Sequence, residues 1–210
     1  MGAEEGETKV ARSGVDFGEP FARFAEWMRR AVEHGLPEPT AMALATADAA
    51  GRPSVRMVLL KEVDERGFVF YTNLESRKAR ELGENPFAAL CFHWTALELQ
   101  VRVEGRVEPV SAEEADAYYA SRARGSRIGA WASEQSRPLD SYAGLVERVR
   151  EVEARYGEGD IPRPPFWSGY RVVPERIEFW RGRPSRLHER EVFTRESGDP
   201  PRWSTELLFP

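Results

Sequence analysis

The chain has 210 residues, 41% hydrophobic and 31% charged, with a net charge of −5. That supplies apolar material for one core and too little positive charge for a general nucleic-acid binder. One cysteine, Cys91, excludes an intrachain disulfide or a cysteine metal cluster, and histidines scattered at 34, 93 and 188 argue against a zinc site.

Residues 1–18 are polar, contain glycine and lack periodicity, which predicts a flexible tail before a single domain over 19–210. Pro20 and Gly35 bracket a helix over about 20–34, with Phe21, Phe24, Ala25, Met28 and Val32 on its inner face. Strands follow at 41–47, 54–61, 67–73, 87–94 and 98–110, separated by Asp- and Gly-containing turns. Spacing this tight favours antiparallel hairpins that close into a barrel. A short helix over 76–83 interrupts them, with Ser76 as its cap and Asn85-Pro86 as its stop. Ser111-Ala-Glu-Glu114 is a capping box that starts a helix to about 119, and near-helical spacing marks another over 139–156. A Pro/Gly-rich connection over 157–165 leads to closing strands at 170–173, 176–181, 186–194 and 203–208. The fold class is mainly β with flanking helices. No apolar run reaches membrane-spanning length and no signal-peptide core is present, so a cytoplasmic protein is expected, with no membrane or nucleic-acid partner.

Several clusters point to anions. Arg186, His188 and Arg190 alternate, so a strand there would turn all three to one face. Ser76-Arg77-Lys78 places two cations at a helix start, where free N–H groups also favour a phosphate ester. Arg56 and Lys61 end an apolar strand, five positions apart and thus on opposite faces of an ideal one. Residues 121–136 mix Arg122, Arg124 and Arg127 with Ser121, Ser126, Ser133 and Ser136, a donor set suited to phosphate oxygens. There is no GxxxxGK[ST] loop. Trp94, Trp131, Trp167 and Trp180 are packing residues by default, but several beside an anion site could wall a flat heteroaromatic ring. The plainer alternative for each charged cluster is a solvated strand edge or helix end. Taken together, the clusters point to one or two phosphorylated aromatic ligands and leave the reaction open.

The stretches RMVLLKEVDERGFVFYTNLESRKARELGENP (56–86), QVRVEGRVE (100–108), SRIGAWASEQS (126–136), IEFWRGRPSRLHER (177–190) and the closing LLFP occur in this order. On these residues the chain resembles the pyridoxine/pyridoxamine 5′-phosphate oxidase family from about residue 20 to its end. The resemblance implies an FMN-binding split β-barrel and a homodimer with FMN at the subunit interface. It implies oxidation of pyridoxamine or pyridoxine 5′-phosphate to pyridoxal 5′-phosphate, with O2 as acceptor and H2O2 as product. Carried over by motif, Arg56, Met57, Val58, Leu59, Leu60, Lys61, Tyr71 and Thr72 should contact FMN, with Ser76, Arg77 and Lys78 at its phosphate. Gln100, Gln135, Ser136, Trp180 and Arg190 should complete the flavin site. Substrate phosphate should meet Lys61, Tyr118, Arg122 and Ser126, while Arg186 and His188 lie over the substrate ring as the catalytic pair. No metal is implied.

The chain departs from the family pattern at Leu99, Ala123 and Arg127, where Arg, Pro and Gln are frequent. Two other readings stand beside the vitamer oxidase. One is a related flavin oxidase of phenazine-type tricyclic intermediates. The other is a non-catalytic split-barrel protein that binds flavin or pyridoxal phosphate.

Overall fold

The computed structural model describes residues 12–210, so most of the expected tail, residues 1–11, lies outside the described residues. In chain order the elements are β1 (Arg12–Val15), α1 (Glu19–Glu33), β2 (Ala41–Ala47), β3 (Pro53–Leu59), β4 (Glu62–Asp64), β5 (Gly67–Asn73), α2 (Arg77–Glu84), β6 (Phe87–Trp94), β7 (Leu99–Pro109), α3 (Ala112–Ser121), α4 (Arg124–Ala132), α5 (Tyr142–Tyr156), β8 (Trp167–Arg181), β9 (Glu189–Glu196) and β10 (Arg202–Leu207).

All strand pairings are antiparallel, in the order β1-β10-β9-β8-β7-β6-β2-β3, with β4 and β5 leaving this path at β8. Strand β8 makes the fork. It pairs with β7 along its length, with β5 through residues 167–172 and with β9 through residues 176–181. A sheet that divides at one long strand curls into the expected split barrel. Residues 170–173 and 176–181, expected as two strands, are one strand because Pro174 sits at a register shift opposite Gly105, where its missing N–H costs no regular ladder bond. Gly105 is needed there, since a Cβ would lie 2.0 Å from the Val173 carbonyl oxygen.

Alternate residues of β2, β6 and β7 fill the interior. Met42, Leu44, Leu90, Phe92, Val101 and Val103 are buried in it with Phe68 and Phe70 of β5. Helix α1 covers this core with Phe21, Phe24, Trp27 and Ala31, and Met28 packs beside them. The expected inner positions Ala25 and Val32 are instead exposed. The inward stripe follows Phe21, Phe24, Trp27 and Ala31, and its flank at 25 and 32 turns to solvent.

Three further elements differ from the sequence expectations. Residues 12–15, within the expected tail, form β1, paired with β10 and anchored where Trp203 Nε1 donates to the Phe17 carbonyl (3.0 Å). Residues 124–132 form a helix although Gly125 and Gly129 disfavour one. Tertiary contacts hold it: Ile128 and Ala132 are buried, and Tyr119 Oη donates to the Arg127 carbonyl (3.0 Å). Residues 184–186 form a short 3-10 turn rather than the start of β9, with Ser185 and Arg186 at φ of 58° and 61°. Among the described residues no helix is long and apolar enough to cross a membrane.

Candidate active site

Two clefts open side by side near β3, β5 and the starts of α2 and α4. The first, about 570 Å³, is lined by Ser54, Val55, Arg56, Met57, Val58, Leu59, Lys61, Tyr71, Thr72, Arg77, Lys78, Gln135 and Ser136. The second, about 560 Å³, is lined by Leu59, Lys61, Tyr71, Thr72, Asn73, Tyr118, Arg122, Ala123, Ser126, Gly129, Ala130, Ser133, Gln135 and Trp167. Each is of ligand-binding size. They share Leu59, Lys61, Tyr71, Thr72 and Gln135, so ligands in the two would meet at these side chains. Arg56 and Lys61 both reach the first cleft, because β3 ends at Leu59 and the chain turns before Lys61.

The cationic end of the first cleft is built around Glu81, a residue the motif comparison missed. Arg77 Nε donates to its Oε1 (2.8 Å), Arg56 Nη2 approaches its Oε2 (3.3 Å), and Ser54 Oγ donates to the same oxygen (2.6 Å). Thr46 Oγ1 also donates to Glu81, and Arg56 Nη1 donates to Thr46 Oγ1 (2.6 Å). Burial pushes the Glu81 carboxyl up, but the hydrogen bonds from Ser54, Thr46 and Arg77 outweigh it and hold it at about 2. Its spacing from Arg77, i to i+4 on one helix, was the only signal in the sequence. Ser76 lies behind this cluster, fully buried, capping α2 by accepting from Ala79 N.

Lys78 has no ion pair among the described residues. Its Nζ donates to Gln135 Oε1 (2.8 Å) and Thr72 Oγ1 (3.0 Å). Burial and the nearby Arg56 push its ammonium down to about 8. A partly desolvated lysine beside two arginines, at a helix start and without its own carboxylate, fits a phosphate ester. The apolar wall from Met57 to Leu59 and the flat Tyr71 suit an aromatic ring. The residues therefore fit FMN, and Arg56, Arg77 and Lys78 are the ones that would hold its phosphate. Leu60 is the exception within the motif, since its side chain belongs to the core.

In the second cleft Tyr118 stacks on Tyr71 (centroids 4.1 Å apart), and Lys61 Nζ lies 6.0 Å from the Tyr118 ring centroid. Arg122 faces this space with Nη1 buried and unpartnered, and burial lowers its guanidinium from its ordinary value. The departure at Arg127 adds no cation here. Its guanidinium pairs with Asp160 (3.0 Å) and ties α4 to the 157–165 connection. Leu99 is buried in the core and Ala123 precedes α4 as its cap.

Gln100, Trp180, Arg186, His188 and Arg190 line neither cleft of the single chain. Four of them gather elsewhere. Gln100, Trp180 and Arg190 form one row across β7, β8 and β9, and the His188 ring lies 4.6 Å from that of Trp180. Buried Glu178 fixes Arg190 through two hydrogen bonds (2.8 and 3.0 Å) and also binds Arg102. Burial raises the Glu178 carboxyl, but these arginines more than reverse the shift. The expected single-strand stripe of Arg186, His188 and Arg190 is not formed, because only Arg190 lies in β9. His188 instead accepts the Arg183 backbone N–H at Nδ1 (3.1 Å), so its neutral ring carries a proton on Nε2. Leu187 and Phe209 near this group are 70% and 94% exposed.

Residues 28–156 match the family model described as pyridoxamine 5′-phosphate oxidase, and residues 167–210 match a pyridoxine 5′-phosphate oxidase C-terminal dimerisation region. The pyridoxine/pyridoxamine 5′-phosphate oxidase of Burkholderia multivorans is 59% identical over 192 residues, covering 91% of this chain and 89% of the relative. That of Burkholderia thailandensis is 55% identical over 207 residues, 97% of this chain and 96% of the relative. Among solved structures, PhzG from Burkholderia lata in complex with tetrahydrophenazine-1-carboxylic acid superposes with a TM-score of 0.85 at 33% identity, covering 91% of this chain and 92% of that one. A pyridoxamine 5′-phosphate oxidase-related, FMN-binding protein from Nostoc punctiforme shares the fold with a TM-score of 0.72 at 19% identity, covering 90% and 96%. The chain belongs to the pyridoxamine 5′-phosphate oxidase family of split-barrel flavoproteins, and its cofactor is FMN.

Proposed function

We propose that the protein oxidises pyridoxamine 5′-phosphate, pyridoxine 5′-phosphate or both to pyridoxal 5′-phosphate, with O2 as electron acceptor and H2O2 as second product. The observation that carries this reading is Arg122. A half-buried guanidinium with a buried, unpartnered Nη1, beside Lys61, Tyr118 and Ser126, faces a cleft that joins the first cleft at Tyr71 and Thr72. This donor set suits a phosphate monoester. Relatives at 55–59% identity that bear the oxidase name support the same substrate.

FMN, when bound, supplies a ring that accepts a hydride. The chain's own residues do the rest by binding and orientation. Lys61, Tyr118, Arg122 and Ser126 hold the substrate phosphate, and Tyr71 fixes Tyr118 by stacking. The active unit is a homodimer. Val55, Met57 and Leu59 on β3 are 68%, 64% and 37% exposed, an apolar edge beside the first cleft that a second copy would cover. The second copy would also bring Gln100, Trp180, Arg186, His188 and Arg190, which the single chain leaves outside both clefts. The match of residues 167–210 to a dimerisation region supports this division. Arg186, permanently protonated, orients the substrate. His188 donates from Nε2 and so acts as a hydrogen-bond donor rather than a base.

Aerobic turnover of the FMN-loaded protein with pyridoxamine 5′-phosphate tests the reading: aldehyde and peroxide should form in equal amounts. Arg186→Ala should lower kcat about a hundredfold with flavin retained, whereas Arg77→Ala should weaken flavin binding. The likeness to PhzG favours a second reading, oxidation of a reduced tricyclic acid. Turnover of tetrahydrophenazine-1-carboxylic acid with none of the vitamer phosphates would establish it instead.

A further inference from the structure

Trp167 underlies the second cleft, and the roles above leave it unused. It is the first residue of β8 and is 6% exposed. Its backbone is fixed on both sides: its N–H donates to the Pro164 carbonyl (3.0 Å), and its carbonyl accepts from Arg163 Nη1 (2.8 Å). The indole lies parallel to Tyr71 (5.3 Å, 4°) and to Tyr118 (6.2 Å, 8°). Gly169 makes room for this stack, since a Cβ there would come within 2.7 Å of the Tyr71 ring.

Over the indole sits Arg122, its Cζ 4.8 Å from the ring centroid. Among the described residues Arg122 makes no ion pair, and even partial burial of an unpaired cation is costly. A tryptophan face is the strongest aromatic support for a cation. It also differs from a carboxylate in what it leaves behind. A carboxylate would occupy the N–H fork and cancel its charge. The indole holds the guanidinium from one side and leaves both charge and donors for an incoming anion.

We propose that Trp167 is a positioning residue that holds Arg122 for the substrate phosphate in place of a carboxylate partner, an inference that rests on the second cleft being the substrate cleft. Trp167 thereby sets the preference for phosphorylated over phosphate-free ligands.

The test uses FMN-loaded wild type, Trp167→Leu and Trp167→Phe, with affinities for pyridoxal 5′-phosphate and for pyridoxal read from flavin fluorescence. In Trp167→Leu the affinity for pyridoxal 5′-phosphate should fall about tenfold and that for pyridoxal less than twofold. Trp167→Phe, with a smaller ring, should lose about threefold for the phosphate ester alone, and it decides the matter if the leucine variant does not fold. Equal weakening toward both ligands would make Trp167 simple packing and overturn the proposal, as would an unchanged preference in both variants. A wild type that does not prefer the phosphate ester would instead sink the substrate reading on which the inference rests.

Discussion

The two cationic ends of the paired clefts are built in opposite ways. At the end we assign to flavin, Arg56 and Arg77 converge on one buried carboxylate, Glu81, with Thr46 and Ser54 completing the cluster. At the end we assign to substrate, Arg122 has no carboxylate among the described residues and lies on an indole. A resident cofactor favours the first arrangement, because counter-charged cations keep their geometry while the polypeptide folds. A ligand that must come and go favours the second, because nothing has to be displaced from the guanidinium when it binds.

The largest expected effect breaks the flavin end. Glu81→Ala leaves Thr46, Ser54 and the partly buried Arg56 without their shared acceptor and should cost about 3 kcal/mol of stability, the upper range for lost hydrogen bonds to a charged group. Denaturant unfolding of the apoprotein would measure it, and a midpoint equal to wild type would show that Glu81 is not the hub of the cluster. Next, Arg122→Ala should raise KM for the phosphorylated substrate roughly thirtyfold, about 2 kcal/mol for lost charged hydrogen bonds, while FMN content stays constant. Loss of flavin in that variant would erase the distinction between the two ends.

A pH experiment sharpens the contrast further. Lys78, at about 8, lies below its ordinary value of 10.5, with burial and then Arg56 as the causes. Between these values the unfolded chain binds more proton than the free folded protein, so Lys78 makes the apoprotein gain stability as pH rises from about 8 to about 10.5. Binding of a phosphate works in the other direction, since it favours the charged lysine. FMN affinity should therefore fall as pH rises above about 8, by at most about tenfold per pH unit, and Lys78→Met should flatten that slope. Titration of apoprotein at pH 7, 8 and 9 would decide it. The smallest effect is expected at Arg127→Gln, which restores the frequent family residue. Because Arg127 pairs with exposed Asp160, KM should change less than twofold and stability by no more than about 1 kcal/mol.

Much of the cationic end of the first cleft was legible in the sequence because its chemistry is local. Ser76, Arg77 and Lys78 are consecutive, and a helix start fixes their common position whatever the rest of the chain does. Glu81 was not legible as a buried hub. One of two glutamates on a polar helix, it gains its meaning from Thr46 and Ser54, which sit on strands β2 and β3. The alternation read at Arg186, His188 and Arg190 assumed a strand, whereas Pro184 and two left-handed residues put a turn there.

The sequence by itself determined the antiparallel strands, the capped helices α2 and α3 and the family motifs, because period, caps and turn residues act over a few positions. Tertiary structure alone decided three things. It turned two expected strands into β8, because the bulge opposite Gly105 absorbs Pro174. It made a helix of the Gly-containing 124–132 segment by burying Ile128 and Ala132. It also laid Arg122 on Trp167, residues 45 positions apart, giving a half-buried cation an aromatic partner that no local pattern in the chain announces.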